Sequence, residues 1–170
     1  MTLSPSLTTV VGLDPGTAIT GYGVLECGRT VHDLRVLEYG VIRTAKTLSQ
    51  SERLLLLYKQ LTALLKRYQP SVAGCEKLFF SKNVKTAGEV GQARGIILLT
   101  LAQHGIQVTE LTPPQVKQAV TGYGSADKKQ VEYMTQHILH LRTRPKPDDA
   151  ADALAIALAT ATQLALQRQL

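Results

Sequence analysis

Residues 8–14, TTVVGLD, form a short run of β-branched and apolar residues that ends at a carboxylate, Asp14. Such a run predicts a buried strand. In α/β sheets, binding sites form beyond the carboxyl ends of strands, which makes Asp14 a candidate site residue. Because Pro15 and Gly16 follow it, a turn-forming role is the ordinary alternative for Asp14.

The flanking sequence predicts four more strands and five helices. Residues 21–27 and 31–44 predict strands that are joined to the first by short Gly-rich turns, which favours an antiparallel meander. Residues 49–68 carry apolar side chains at helical spacing, with Ser49 or Ser51 as the N-cap. Two more strands are expected, one over 71–75 that ends at Glu76 and one over 106–110. Between them we expect a helix over 83–104 that is closed by Gly105. Three helices follow: a short one from Pro113, one capped by Ser125 that runs to about Leu139, and a last one after Pro147 that runs to about Gln167.

This order predicts an α/β fold: a five-stranded mixed sheet, antiparallel in its first three strands, flanked by helices. A length of 170 residues fits one domain. We therefore expect a single domain over 1–170, with 1–8 and 168–170 as flexible tails.

The charge pattern points to a polyanionic partner. Lys and Arg number 19 against 13 Asp and Glu, giving a net charge of +6. Basic domains prefer polyanions, of which nucleic acid is the commonest. The positive excess lies in residues 77–94 and 110–146, whereas 147–170 is acidic. Carboxylates embedded in a basic protein are what a metal-dependent nuclease needs.

The cysteines and the termini bear on the compartment. Cys27 and Cys75 have no zinc-type spacing and are expected to be buried thiols in a reducing compartment. Residues 1–9 lack the basic and apolar regions of a secretory signal. The apolar run 150–166 contains Asp152 and predicts a buried helix, not a membrane span. We expect a cytoplasmic protein with no membrane partner.

Three other carboxylates complement Asp14. Glu76 ends a predicted strand, and Asp149 and Asp152 lie three residues apart on one face of the last helix, about 5–6 Å apart at Cβ. Four carboxylates held together raise one another's pKa, and a divalent cation relieves the repulsion. Oxygen ligands of this type favour Mg²⁺ or Mn²⁺.

Each of these carboxylates also has an ordinary structural interpretation. Asp148 and Asp149 suit helix capping or the helix dipole, which is the favoured interpretation for Asp148. Glu76 suits a surface ion pair. Asp152 is harder to explain in this way, because unpaired carboxylates are rarely buried. Their joint occurrence at two strand ends and one helix face favours a metal site.

Seven short motifs occur together along the chain: GLDPG at 12–16, TGYG at 20–23, Glu76 followed by Phe79, GQARG at 91–95, QVKQ at 115–118, GSA at 124–126 and DAADAL at 149–154. Over about residues 10–158, this set resembles the RuvC-type Holliday junction resolvases. The resemblance implies a ribonuclease H-like fold, a homodimer, and cutting of four-way DNA junctions by paired symmetric nicks in recombination and repair.

The resemblance also implies the active-site residues. It places the family's four metal-binding, catalytic acidic residues on Asp14, Glu76, Asp149 and Asp152, with two Mg²⁺ or Mn²⁺ ions per site and Asp14 bridging them. The implied chemistry is two-metal-ion hydrolysis of a phosphodiester, which leaves a 5′ phosphate and a 3′ hydroxyl.

Aromatic and basic residues are expected to bind DNA. By the resemblance, Phe79 is a wedge that stacks on an unpaired base, with Phe80 second, although most phenylalanines are core residues. Lys117 and Lys128 match basic positions near the family's active site and are expected to contact phosphates. Lys82, Lys85 and Lys129 are weaker candidates for backbone contacts. A solvated surface lysine is the alternative for each.

Partners and rival functions complete the expectations. The resemblance implies a branch-migration helicase complex of the RuvA and RuvB type. Residues 13–17 also resemble the first phosphate loop of actin-like ATPases and sugar kinases, but those enzymes need a second domain. A non-catalytic junction-binding protein would not need the carboxylates. A nuclease of RNA–DNA hybrids is a further alternative, against which Phe79 and GQARG favour junctions.

Overall fold

The structure of the protein, a computed structural model, describes residues 7–28, 30, 33–77 and 84–167. Its strands form one sheet in the order β3-β2-β1-β4-β5. They are β1 (Thr8–Asp14), β2 (Ile19–Cys27), β3 (Leu34–Arg43), β4 (Val72–Glu76) and β5 (Gln107–Leu111). The pairs β1–β2 and β2–β3 are antiparallel, and β4 runs parallel to both β1 and β5. The predicted mixed sheet is confirmed, and β1 begins at the last residue of the expected N-terminal tail.

Five helices follow the predicted order. They are α1 (Gln50–Tyr68), α2 (Val84–Gln103), α3 (Pro113–Thr121), α4 (Lys128–Ile138) and α5 (Asp148–Gln167). At the start of α1, Ser49 is the N-cap and not Ser51. Its hydroxyl accepts a hydrogen bond from the backbone N–H of Glu52, whose carboxylate accepts one from the Ser49 N–H.

The predicted start of α4 is wrong. Its N-cap is Asp127, and Ser125 lies in the preceding loop. Asp127 Oδ1 accepts from the N–H of Gln130 at 2.9 Å, and Gln130 Oε1 accepts from the N–H of Asp127 at 2.9 Å. These reciprocal bonds satisfy two N–H groups at once. Lys128 therefore becomes the first residue of the helix.

Helix α5 packs directly on the sheet because glycines remove the side chains between the two backbones. A Cβ added to Gly12 of β1 would lie 2.2 Å from the carbonyl oxygen of Ala153, and one on Gly74 of β4 would lie 2.0 Å from Thr160 Oγ1. Every residue of 150–161 except Asp152 is buried. This contact places the first turn of α5 beside the carboxyl end of β1.

The other face of the sheet is covered by α1 and α2. Leu57 and Leu61 of α1 and Ile97 of α2 pack there against Val11 and Leu13 of β1. Cys27 and Cys75 are both buried, as predicted.

Among the described helices, α5 alone is long and apolar enough to cross a membrane by length and composition. In the fold, 67% of its apolar window is buried within the protein. That burial is what a core helix shows, as the sequence predicted.

Candidate active site

Five of the sequence-predicted residues, three carboxylates and two lysines, line one cavity at one end of the sheet. Asp14 and Glu76 end the neighbouring parallel strands β1 and β4, where Leu13 pairs with Cys75. Asp152 projects from α5 into the same region. A cavity of about 230 Å³ is lined by all three of these carboxylates and by Lys117 and Lys128.

The electrostatics of Asp14 show how closely the carboxylates are grouped. The pKa of Asp14 is raised from 3.8 to about 7, first by burial and then by the negative charges of Asp152, Glu76 and Asp149, against the opposing effect of Lys128. Asp149 does not line the cavity, yet its charge reaches Asp14. Burial and the charge of Asp152 also raise the pKa of Glu76. The predicted set therefore forms one electrostatic cluster.

The first turn of α5 is held in place by close backbone packing. A Cβ added to Gly21 of β2 would lie 2.0 Å from the carbonyl oxygen of Asp149. The N–H groups of Ala150 and Ala151 both donate to the carbonyl of Pro147, which fixes the start of the helix. Gly21, in the TGYG motif, thus sets how closely Asp149 approaches the sheet.

Lys128 crosses from α4 to the acidic turn of α5. Its Nζ lies 3.1 Å from Asp152 Oδ2 and 3.2 Å from Asp148 Oδ2. Burial opposes the charged form of Lys128, but the hydrogen bonds and charges of Asp152 and Asp148 outweigh it and raise the pKa of the ammonium. Asp148, which the sequence favoured as a cap or dipole partner, is therefore also an ion-pair partner of Lys128.

The cluster suits a divalent cation in its charge and its donor atoms. All four candidate ligands offer carboxylate oxygens, which hard cations such as Mg²⁺ and Mn²⁺ prefer. After burial, the charges of Asp152, Glu76 and Asp149 raise the pKa of Asp14, and a bound cation would relieve that repulsion. In the described part of the chain, no three His, Cys, Asp or Glu side chains are already drawn around one point. Asp152 is instead paired with Lys128, so a cation must compete with the ammonium for it.

The candidate DNA-binding residues fall into three groups. Lys117 and Lys128 line the cavity. Lys129 is exposed on α4 and does not line it. Phe79, Phe80 and Lys82 lie outside the described residues. Lys85 belongs to the start of α2, but its side chain is not described.

Sequence analysis missed a residue that braces Glu76. The Nη2 atom of Arg94 lies 2.7 Å from Glu110 Oε1, and its Nε donates to the carbonyl oxygen of Glu76 at 3.4 Å. Arg94 thereby ties α2 to the carboxyl ends of β4 and β5. It belongs to the GQARG motif, which was the available signal.

Sequence analysis also missed an ion pair that gives Arg144, in the basic run 142–146, a structural role. Arg144 forms an ion pair with Glu132 of α4, whose side chain is only 3% exposed. The pair fastens the connection between α4 and α5 shortly before the acidic turn. The run of basic residues in 142–146 was visible in the sequence, but the burial of Glu132 was not.

Comparisons with known proteins agree with this geometry. The family model for the crossover junction endodeoxyribonuclease RuvC matches residues 10–160. A crossover junction endodeoxyribonuclease RuvC from Roseiflexus sp. (strain RS-1) is 55% identical over 151 residues, which cover 89% of this chain and 89% of that protein.

Solved structures agree as well. The structure of T. thermophilus RuvC in complex with Holliday junction substrate superposes with a TM-score of 0.89 at 34% identity, covering 94% of this chain and 96% of that one. The yeast mitochondrial Holliday junction resolvase Ydc2, at 15% identity and a TM-score of 0.64 over 95% of this chain and 82% of its own, shares the fold alone. The expected ribonuclease H-like fold is confirmed, and the chain belongs to the RuvC family of crossover junction endodeoxyribonucleases.

Proposed function

We propose that this protein resolves four-way DNA junctions by paired symmetric nicks, as a metal-dependent endodeoxyribonuclease acting in recombination and repair. The observation that carries the proposal is the carboxylate cluster at the ends of β1 and β4 and the first turn of α5. All four acidic positions of the family are filled there, and Asp14 already responds to the charge of the other three.

Asp14, Glu76, Asp149 and Asp152 are the proposed ligands of two Mg²⁺ or Mn²⁺ ions. When bound, such ions supply an activated water and stabilise the leaving 3′ oxygen of the phosphodiester. Asp14 would hold the ions together with the other three carboxylates, each of which is close enough to raise its pKa. Arg94 supports Glu76 by holding its backbone carbonyl.

The lysines of the cavity are proposed to bind the DNA backbone. Lys117 and Lys128 place two positive charges beside the carboxylates, where they attract the scissile phosphate and offset its charge. Lys129, Lys82 and Lys85 are proposed as further backbone contacts. Because such contacts release counterions, binding is expected to weaken steeply with salt. Phe79, ahead of Phe80, is the proposed wedge at the junction centre.

A homodimer is proposed because two equivalent sites can cut two opposed strands. One face of α2 supports this proposal. An added Cβ at Gly88 or Gly95 would meet nothing within 4 Å in the protomer, and Leu99, four residues after Gly95, is exposed. Glycines let a second helix approach closely. From the family resemblance, a branch-migration helicase complex of the RuvA and RuvB type is the proposed partner. The cytoplasm, expected from the sequence, is the proposed location.

The test is cleavage of a labelled, mobile four-way junction with Mg²⁺, with Mn²⁺ and with EDTA. Asp14→Asn is compared with Asp33→Asn, which removes one carboxylate from the loop before β3, away from the cavity. We expect paired nicks with 5′ phosphate ends from the parent and from Asp33→Asn, and none with EDTA or from Asp14→Asn. A linear duplex of the same sequence should remain uncut.

Two results would contradict the proposal. Tight junction binding without nicking under either metal would indicate a binding module. Faster cleavage of an RNA–DNA hybrid than of the junction would indicate a nuclease of a different substrate class.

A further inference from the structure

Two carboxylates of α5 share one ammonium group, and only one of them belongs to the cavity. Lys128 Nζ is 3.1 Å from Asp152 Oδ2 and 3.2 Å from Asp148 Oδ2. Asp152 lines the cavity with Asp14 and Glu76, whereas Asp148 does not, and its side chain is 75% exposed. The three N–H groups of a lysine ammonium allow both contacts at once.

The ion pair between Lys128 and Asp152 competes with the binding of a cation by Asp152. A divalent ion that takes an oxygen of Asp152 repels the Lys128 ammonium, because the two positive charges need the same carboxylate. Once displaced from Asp152, a lysine with no second partner would move into solvent on its flexible four-carbon stem. It would then be lost from the phosphate-binding side of the cavity.

We propose that Asp148 is a positioning residue that holds Lys128 at the rim of the cavity when Asp152 is engaged by a metal ion. The inference rests on the proposed function, in which Asp152 is a metal ligand. Asp148 gives the displaced ammonium a carboxylate one helical turn away from Asp152. Lys128 therefore keeps one of its two ion-pair partners when the metal takes the other. Release of Asp152 to the cation therefore costs less than it would without Asp148.

A plain structural role for Asp148 predicts something different. An acidic residue in the first turn of a helix stabilises the helix through its dipole, whether or not Lys128 is present. That effect changes the stability of the protein. The proposed role instead makes the effect of Asp148 on metal affinity depend on Lys128, which a double-mutant cycle measures.

The experiment is calorimetric titration of the full-length protein with Mn²⁺ alone, without DNA. The variants are Asp148→Asn, Lys128→Gln, their combination, and the charge-preserving Asp148→Glu. Asp33→Asn serves as the matched control for the loss of one negative charge away from the cavity. Thermal unfolding without metal is recorded for each variant, so that a change in folding is not mistaken for a change in affinity.

We expect Asp148→Asn to weaken Mn²⁺ binding about two- to fivefold, the size set by one exposed ion pair. Lys128→Gln should tighten binding, because it removes the competitor for Asp152. In the Lys128→Gln background, Asp148→Asn should have no further effect. Asp148→Glu and Asp33→Asn should bind like the parent.

The proposal is overturned if Asp148→Asn weakens Mn²⁺ binding equally with and without Lys128, since Asp148 would then act only as a nearby charge. It is also overturned if Asp148→Asn leaves the affinity unchanged while Lys128 is present. Failure of the proposed function looks different: the parent itself binds no Mn²⁺, or binds it just as well after Asp14→Asn, and the inference about Asp148 then fails with it.

Discussion

The middle and the first turn of α5 are governed by different forces. In the middle, 153–161, Ala153 and Ala157 lie so close to Gly12 of β1, and Thr160 so close to Gly74 of β4, that an added methyl group has no room. At the start of the helix, Asp149 and Asp152 are partly exposed and Asp148 is exposed, and Lys128 forms ion pairs with Asp148 and Asp152. Close packing fixes the middle of α5, whereas ion pairs fix its start.

The contrast explains how the site tolerates its own repulsion. The negative charges of Asp149 and Asp152 add to burial in raising the pKa of Asp14, and the same charges repel Asp14 at the end of β1. The rest of the helix resists, because moving it away from the sheet would expose the apolar side chains of 153–161, which are buried in the fold. The packing of the middle of α5 thus keeps the carboxylates at its start close to Asp14, where they could bind a cation.

Breaking the packed region should have the largest effect on stability. In Gly12→Ala, the new Cβ would lie 2.2 Å from the Ala153 carbonyl oxygen and 2.3 Å from the Ala157 nitrogen. Both are backbone atoms, so α5 itself must move. We expect the free energy of unfolding in urea to fall by about 3 kcal/mol, at the upper end for overpacking, and junction cleavage to be lost.

The matched control adds the same methyl group where nothing opposes it. A Cβ on Gly88 of α2 meets nothing within 4 Å in the protomer, and alanine favours a helix interior over glycine. Gly88→Ala should unfold no more easily than the parent. Equal destabilisation by Gly12→Ala and Gly88→Ala would show that the α5 contact is not the cause.

The boundary between the two regions should show an intermediate effect. Arg144→Ala leaves the carboxylate of Glu132, which is 3% exposed, without its partner. An unpaired buried charge is strongly destabilising, but the Arg144 side chain is half-exposed, which reduces the loss to about 2 kcal/mol. Urea unfolding of the variant measures it.

A second substitution separates the charge from the packing. If the unpaired charge is the cause, adding Glu132→Gln to Arg144→Ala should restore part of the stability, because a neutral amide is cheaper to bury. A double variant that is less stable than Arg144→Ala alone would mean that Arg144 acts through packing of its stem instead.

The sequence predicted what depends on local patterns. The order of strands and helices follows from short apolar runs and helical spacing, and Asp14 and Glu76 were placed because each ends such a run. The N-cap of α4 was missed although its signal was present: Asp127 is followed three residues later by Gln130, the partner that Ser125 lacks.

Contacts between α4 and α5 had no local signal. Lys128 and Asp152 are 24 residues apart, and their contact depends on how the two helices cross. The same applies to Arg144 and Glu132, where the rotation of α4 decides that Glu132 is buried. Packing between elements, and not the pattern within them, decides these pairs.

The smallest expected effect comes from a carboxylate on the α1 side of the sheet whose surroundings are the reverse of those of Asp14. Glu38 of β3 accepts hydrogen bonds from Tyr68 and, at 2.7 Å, from Tyr22, and lies 3.1 Å from Arg67. The bonds from Tyr68 and then Tyr22 lower its pKa, with a further contribution from Arg67. Hydrogen-bond donors lower the pKa of Glu38, whereas burial and neighbouring carboxylates raise the pKa of Asp14.

The sign of the pH dependence follows from that direction. Because the pKa of Glu38 is lower in the folded than in the unfolded protein, its stabilisation is complete above the unfolded value, near 4.5, and disappears as the pH falls through the folded value. Glu38→Gln should therefore be less stable than the parent at pH 7, by under about 1 kcal/mol for this partly exposed group. The difference should close below pH 4.5 in urea unfolding with EDTA present. If the difference in unfolding free energy between Glu38→Gln and the parent stays constant from pH 7 to pH 3, the loss comes from shape complementarity. The contrast with Asp14 would then rest on packing and not on charge.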